Sequence, residues 1–191
     1  MKKIEFIKPV YDLKEVPKQN FPTVVLCGRS NVGKSSFINS IFNTRIAQTS
    51  SFPGKTRSIN YYLAEDKFYL VDLPGFGYAK VSQSERDFWH KLIEKYFSIN
   101  MQIKLAIHII DSRHAPMPLD IELNEFLRSR AIPYLLLLNK SDKLKQAAQS
   151  QSKKHIAETF PEVRFGENCF FYSALKGIGK KEVVKLLSSL F

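Results

Sequence analysis

The sequence predicts a three-layer α/β fold, a mostly parallel sheet of six strands with helices on both faces. Apolar runs at 21–27, 67–72, 104–111, 133–138 and 169–172 alternate with segments of helical periodicity, the pattern of strand-helix-strand units whose strands are buried on both faces. Polar or glycine-bearing turns follow the carboxyl ends of several of these runs, and in open α/β sheets that is where ligands bind.

Residues 1–20 mix charges with Pro9 and Pro17 and read as an N-terminal arm or edge strand ahead of a core at 21–191, the whole forming one domain. The first core strand, 21–27, feeds a helix that starts at Lys34, buries Phe37, Ile38 and Ile41, and ends near residue 42. The segment 43–57 has no steady periodicity and is rich in Thr, Ser, Gly and basic residues; a loop of that length is expected to be functional or mobile. Strands at 58–64 and 67–72 are joined by a turn at Glu65-Asp66. After a loop at 73–81, Phe88, Trp89, Leu92, Ile93, Tyr96 and Phe97 recur at helical spacing as a core-facing stripe. A strand at 104–111, a helix marked by Leu119, Leu123, Phe126 and Leu127, a strand at 133–138, a polar helix at 144–160, a short strand at 169–172 and a closing helix with Val183, Leu187, Leu190 and Phe191 complete the chain.

Hydrophobic residues make up 44% of the chain, yet its longest apolar runs, such as 134–138, are too short to span a bilayer. Met1-Lys2-Lys3 leads into a charged stretch rather than a signal-peptide core, so a cytoplasmic protein with no membrane partner is expected. Cys27 and Cys169 lack a C-x-x-C partner and read as buried reduced thiols, and His108, inside a strand run, reads as a core or edge-strand residue rather than a catalytic one. The formal charge of +11 attracts polyanions, whether nucleic acid or anionic lipid.

The chemistry is concentrated in four motifs. Gly28-Arg29-Ser30-Asn31-Val32-Gly33-Lys34-Ser35 fits G-x-x-x-x-G-K-S/T between a strand and a helix, the context a phosphate loop requires. Its glycines let backbone N–H groups wrap an anion at the positive end of the helix. Lys34 reaches the β- and γ-phosphates, and the Ser35 hydroxyl is a hard ligand for Mg²⁺. Asp72-Leu73-Pro74-Gly75 follows its own strand; the carboxylate holds Mg²⁺ through a water and the Gly75 N–H is offered to a γ-phosphate. Asn139-Lys140-Ser141-Asp142 follows the 133–138 strand, and an ionised Asp142 accepts from guanine N1–H and its exocyclic amine while facing adenine N1 with lone pairs. Ser173-Ala174-Leu175, after the strand ending at Tyr172, then supplies backbone N–H groups to guanine O6, so that Tyr172, Ser173 and Ala174 line the nucleotide site.

In this order the motifs resemble the translation-factor class of P-loop GTPases, with a Ras-like G domain. Adding Ser36, Pro53-Gly54-Lys55-Thr56, the continuation Phe76-Gly77-Tyr78-Ala79 and Asp111-Ser112-Arg113-His114, the chain from about residue 21 onward is similar to the EngB family of bacterial ribosome-biogenesis GTPases, with no departure in the nucleotide motifs. The resemblance implies GTP/GDP binding, Mg²⁺-dependent hydrolysis and a role in large-subunit assembly, and so in growth and division; the basic charge makes rRNA a fitting partner, and a monomer with slow intrinsic turnover is expected. The resemblance makes 43–57 switch I, with Thr56 completing the Mg²⁺ shell and Gly54, Lys55, Arg57 and Ser58 beside the nucleotide, and makes 73–81 switch II.

Ras-like proteins place a Gln after the D-x-x-G glycine to orient water; here Phe76 stands there and cannot hydrogen bond. The group is expected from elsewhere. Asn31 is the first candidate, by analogy with related GTPases in which an Asn at this place helps bind K⁺; Arg57, Lys55 and Arg29 are weaker ones. Lys153-Lys154 and Lys180-Lys181-Lys185 are candidate RNA phosphate contacts. Two other readings compete: a GTP-gated rRNA-binding module in which hydrolysis is incidental, and a membrane- or septum-linked GTPase, for which no lipid anchor or basic amphipathic N-terminal helix is present in the sequence.

Overall fold

A computed structural model describes residues 1–19, 21–48, 58–75, 83–100 and 102–191, with backbone alone over 83–90. Its strands are β1 (Ile4–Val10), β2 (Thr23–Cys27), β3 (Ile59–Ala64), β4 (Phe68–Asp72), β5 (Ile103–Asp111), β6 (Tyr134–Asn139) and β7 (Cys169–Phe171). The helices are α1 (Lys34–Phe42), α2 (Gln83–Ile99), α3 (Pro118–Ser129), α4 (Gln146–Thr159) and α5 (Lys180–Leu190). Every strand joins one sheet in the order β1-β3-β4-β2-β5-β6-β7.

Among the described residues the sheet has seven strands rather than six, because the N-terminal arm is an edge strand: β1 pairs antiparallel with β3 from Ile4 opposite Ala64 to Val10 opposite Ile59. An edge strand with half of its residues in solvent has no continuous apolar run to announce it, and Pro9 is tolerated because an edge needs hydrogen bonds on one side only. β3 and β4 form an antiparallel hairpin whose turn residues Glu65 and Asp66 both adopt positive φ, 54° and 55°, the left-handed pair of a type I′ turn that the Lys67 N–H closes on Ala64 O. β4, β2, β5, β6 and β7 run parallel. β2 and β4 are buried throughout, as expected of strands covered on both faces.

Two apolar layers sandwich the sheet. Phe37, Ile38 and Ile41 of α1 and Val183 and Leu187 of α5 pack with Val24, Leu26, Ile107 and Leu137 on one face. On the other, Ile93, Tyr96 and Phe97 of α2 and Leu123 and Leu127 of α3 pack with Val25, Val71 and Ala106, and Ile156 of α4 with Leu136 and Leu138. Phe88 and Trp89 of the predicted stripe lie outside the described side chains. The chain leaves β2 toward β4 on one side and returns to β5 on the other, so the sheet order reverses at β2. The crevice at such a switch point, above the carboxyl end of β2, is where the glycine loop lies. Among the described residues no helix is long and apolar enough to cross a membrane.

Candidate functional site

The loop from Gly28 to Gly33 turns the end of β2 into α1 through left-handed backbone at Gly28 (φ 144°), Asn31 (φ 63°) and Gly33 (φ 104°). Both glycines are required by close approach: a Cβ at Gly28 would stand 2.4 Å from the carbonyl oxygen of Ile109, and one at Gly33 2.2 Å from Asn139 Nδ2. Gly33 caps α1 without a side-chain bond. The first-turn N–H groups of a helix have no intrahelical acceptor, so the positive end of α1 and its free donors face the loop's concavity.

Lys34 is buried, its Nζ donating to the carbonyls of Gly28 at 3.2 Å and Arg29 at 3.4 Å. Burial lowers its pKa, against the opposing pull of the Asp72 charge. Asp72, at the end of β4, is itself buried; burial raises its pKa, while Lys34 and the Ser35 hydroxyl, which donates to Oδ2 at 3.0 Å, act in the other direction. Oδ1 of Asp72 is buried with no hydrogen-bond partner among the described residues. A hydroxyl and an orphaned carboxylate oxygen converging beside a lysine make an oxygen donor set that suits Mg²⁺. Gly75 lies directly on the phosphate loop: a Cβ there would be 2.7 Å from Ser30 Cα and 2.9 Å from Lys34 Nζ. Leu73 is buried in the core, its N–H donating to Leu26 O at 3.1 Å, and Val32 is also a core residue. Ser58 is buried, with its hydroxyl on Asn60. Gly54, Lys55, Thr56, Arg57 and Phe76, with most of both predicted switches, lie outside the described residues.

The second half of the site is braced against the first. Asn139 donates to Val32 O at 2.7 Å, and Lys140, left-handed at φ 64°, donates through Nζ to Asn31 O at 2.7 Å and to Asp111 Oδ2 at 2.9 Å. Asp142 accepts from the Ser173 hydroxyl at 2.6 Å and faces Lys143 Nζ at 3.4 Å; these bonds hold its carboxyl below the usual range, so it remains an acceptor at neutral pH. Ser141 and Tyr172 join the two loops from within: the Ser141 hydroxyl and N–H both donate to Tyr172 O, and the Tyr172 ring is buried with its hydroxyl on Ser40. Ala174 N–H lies 3.5 Å from Asn139 Oδ1.

The motifs are separate in the sequence and interlock only in the fold, through Asn139 on Val32 and Lys140 on Asn31. Asp111 has no role in the sequence reading; a carboxylate ending an apolar strand run is the signal the chain offers, while its register with Asn139 exists only in the sheet. Among the basic candidates, Lys180 is engaged with Ser40 O and Asn43 Oδ1, closing the end of α1, and Lys153 lies over the Phe165 ring at 5.4 Å. Lys154, Lys181 and Lys185 are exposed. His108 is fully buried in β5, between β2 and β6, with neither ring nitrogen hydrogen-bonded among the described residues; burial lowers its pKa to about 3.

Fold and loop together define the class, a P-loop GTPase: the family model described as a 50S ribosome-binding GTPase matches residues 23–140. The chain is 41% identical over 189 residues to a probable GTP-binding protein EngB of Petrotoga mobilis, covering 98% of this chain and 95% of that one. With the corresponding Bacillus cereus protein it shares 38% over 188 residues, 98% of this chain and 92% of that one. A crystal structure of a probable GTP-binding protein engB superposes with a TM-score of 0.73 at 27% identity, over 87% of this chain and 97% of that one. Era in complex with MgGDPNP and nucleotides 1506–1542 of 16S ribosomal RNA shares the fold, with a TM-score of 0.67 at 24% identity over 87% of this chain and 55% of that one. The chain belongs to the EngB family of GTP-binding proteins, and its enzymatic class is GTPase.

Proposed function

We propose that the chain is a cytoplasmic, monomeric single G domain over residues 1–191 that hydrolyses GTP slowly and uses the GTP-bound form as a switch in assembly of the large ribosomal subunit. The observation that carries the nucleotide half is the convergence of Lys34, Ser35, Asp72 and Gly75 on one helix terminus, with the base-reading loop tied to the phosphate loop through Asn139 and Lys140.

In this reading the loop N–H groups of 28–35 cradle the phosphates and Lys34 lies on the β- and γ-oxygens. Ser35 and Thr56, with Asp72 through water, would hold Mg²⁺, which when bound neutralises charge on those oxygens. Asn139, Lys140, Ser141 and Asp142, with 172–174, form the base pocket; the Asp142 carboxylate reads guanine and rejects adenine. Since Gly75 already lies against Ser30 and Lys34, an anion in the loop is felt at residue 75 without an intermediary. In this reading 43–57 and 73–81 are the two switches: γ-phosphate and Mg²⁺ hold Thr56 and Gly75, and hydrolysis releases both loops. Phe76 cannot orient the attacking water, so intrinsic turnover is slow. Asn31, exposed at the mouth of the loop, is the residue proposed to bring K⁺ near the phosphates; equal turnover in KCl and NaCl would remove it from that role.

The ribosomal half rests on the formal charge of +11, suited to rRNA, and on the ribosome-binding description of the matching family. Phe76 also supports a second reading, in which GTP shapes an RNA-binding surface and hydrolysis is incidental. The test is co-sedimentation with purified large subunits, loaded with GDP or a non-hydrolysable GTP analogue, across a salt series. Binding that needs the GTP form and survives moderate salt is expected. Binding that ignores the nucleotide and vanishes with salt would reduce the ribosomal assignment to unspecific charge attraction.

A further inference from the structure

A charged chain runs behind the base pocket. Asp111 accepts from Arg113 Nε at 2.9 Å on Oδ1, from Arg113 Nη2 at 2.7 Å on Oδ2, and from Lys140 Nζ at 2.9 Å on Oδ2. The Arg113 N–H adds a bond of 3.2 Å to Oδ1. The same Lys140 Nζ reaches Asn31 O at 2.7 Å. An exposed ion pair would contribute little, but here the Asp111 side chain is only 14% exposed and Lys140 29%, against 43% for Arg113. A two-pronged guanidinium grip on a mostly covered carboxylate fixes its orientation. Beyond it, Lys140 and Asn31 both hold left-handed backbone, φ 64° and 63°, a conformation that persists in such residues when the surroundings impose it.

We propose that Arg113 is a positioning residue of the nucleotide site: by clamping both oxygens of Asp111 it keeps Lys140 Nζ on the Asn31 carbonyl, and so ties the base-reading loop to the phosphate loop before nucleotide arrives. The inference rests on the guanine-nucleotide reading above. A site preformed in both halves has less to order on binding and opens less often, so the clamp acts on release more than on capture. Lysine at 113 retains the charge but not the fork.

The test is stopped-flow association and dissociation of GDP carrying a fluorescent ribose label, on wild type, Arg113→Ala, Arg113→Lys, Lys140→Ala and the Arg113→Ala/Lys140→Ala pair, with urea unfolding of each free protein. Arg113→Ala is expected to speed release by about tenfold, the scale of one charge-assisted hydrogen bond, with association within about twofold. Arg113→Lys should fall between, and the pair should release no faster than Lys140→Ala, because both act through one lysine. Release from Arg113→Ala within twofold of wild type, effects that multiply in the pair, or equal effects of Lys and Ala that track lost unfolding stability, would each overturn the proposal. Wild type that takes up no labelled GDP would overturn the guanine reading and this inference with it; tight wild-type binding with an indifferent Arg113→Ala overturns the inference alone.

Discussion

Replacing Gly33 by alanine puts one methyl group 2.2 Å from Asn139 Nδ2, at a backbone φ of 104°. The left-handed conformation costs an alanine about 1–2 kcal/mol. The clash cannot be tolerated, so the Asn139 amide must swing away. Asn139 is buried, and its Nδ2 donates to Val32 O at 2.7 Å; a buried carbonyl deprived of its donor costs about 1–3 kcal/mol more. The total is about 2–5 kcal/mol. For a chain of this size each kcal/mol lowers the melting temperature by about 2–4 °C. Urea unfolding of nucleotide-free protein should therefore show a large fall in midpoint at unchanged slope. The decisive arm is the cycle with Asn139→Ala. With the amide already gone, alanine at 33 meets no obstruction and only the backbone cost remains, so the double variant should be more stable than the sum of singles by about 1–3 kcal/mol. Additivity within about 0.5 kcal/mol would refute the claim that Gly33 is required by Asn139.

Asp142→Asn should weaken GDP binding by at least tenfold, the loss of one bond to a charged acceptor of about 1.5–3 kcal/mol, and narrow the preference for guanine over xanthine nucleotides, whose 2-carbonyl can accept from the new amide; competition titration checks both. The His108 pKa is lowered to about 3 by burial, against 6.5 in the unfolded chain, so below pH 6.5 the unfolded state binds a proton that the folded state refuses, and stability falls as pH falls. Between pH 7 and 5 this amounts to about 2 kcal/mol, and His108→Leu should remove that part of the slope; an unchanged slope in urea titrations counts against it. Cys27 and Cys169 thiols are pushed up to about 12 by burial, so maleimide should label neither at pH 8 until the protein unfolds, and prompt labelling of native protein would contradict their placement. Gly75→Ala, whose Cβ would press on Ser30 and Lys34, should leave unfolding stability closer to wild type than nucleotide-dependent behaviour, measured as the GTP-over-GDP affinity ratio.

The alternation of strands and helices, the order of the motifs and the base chemistry of Asp142 are legible in the bare chain, because each is a local property: periodicity over a few turns, glycine where backbone must bend, a carboxylate where two donors must be met. Strand and helix limits agree with the structure to within one or two residues in most elements. Other features arise only on folding. β1 is a strand because β3 offers it an edge, not because its own residues alternate strongly. Asn139, Lys140 and Ser141 read as one contiguous motif, yet Asn139 braces Val32, Lys140 braces Asn31 and Ser141 braces Tyr172. Lys180, a candidate RNA contact in the sequence, also closes the end of α1 in the fold. Arg113 and Asp111 acquire a role only when parallel pairing sets Asp111 beside Asn139 at the ends of β5 and β6. The physical reason is common to all of these. A side chain's chemistry is fixed by its covalent structure, but its partner is fixed by which strand ends the sheet brings within about 3 Å of it, and that distance exists only in the folded chain.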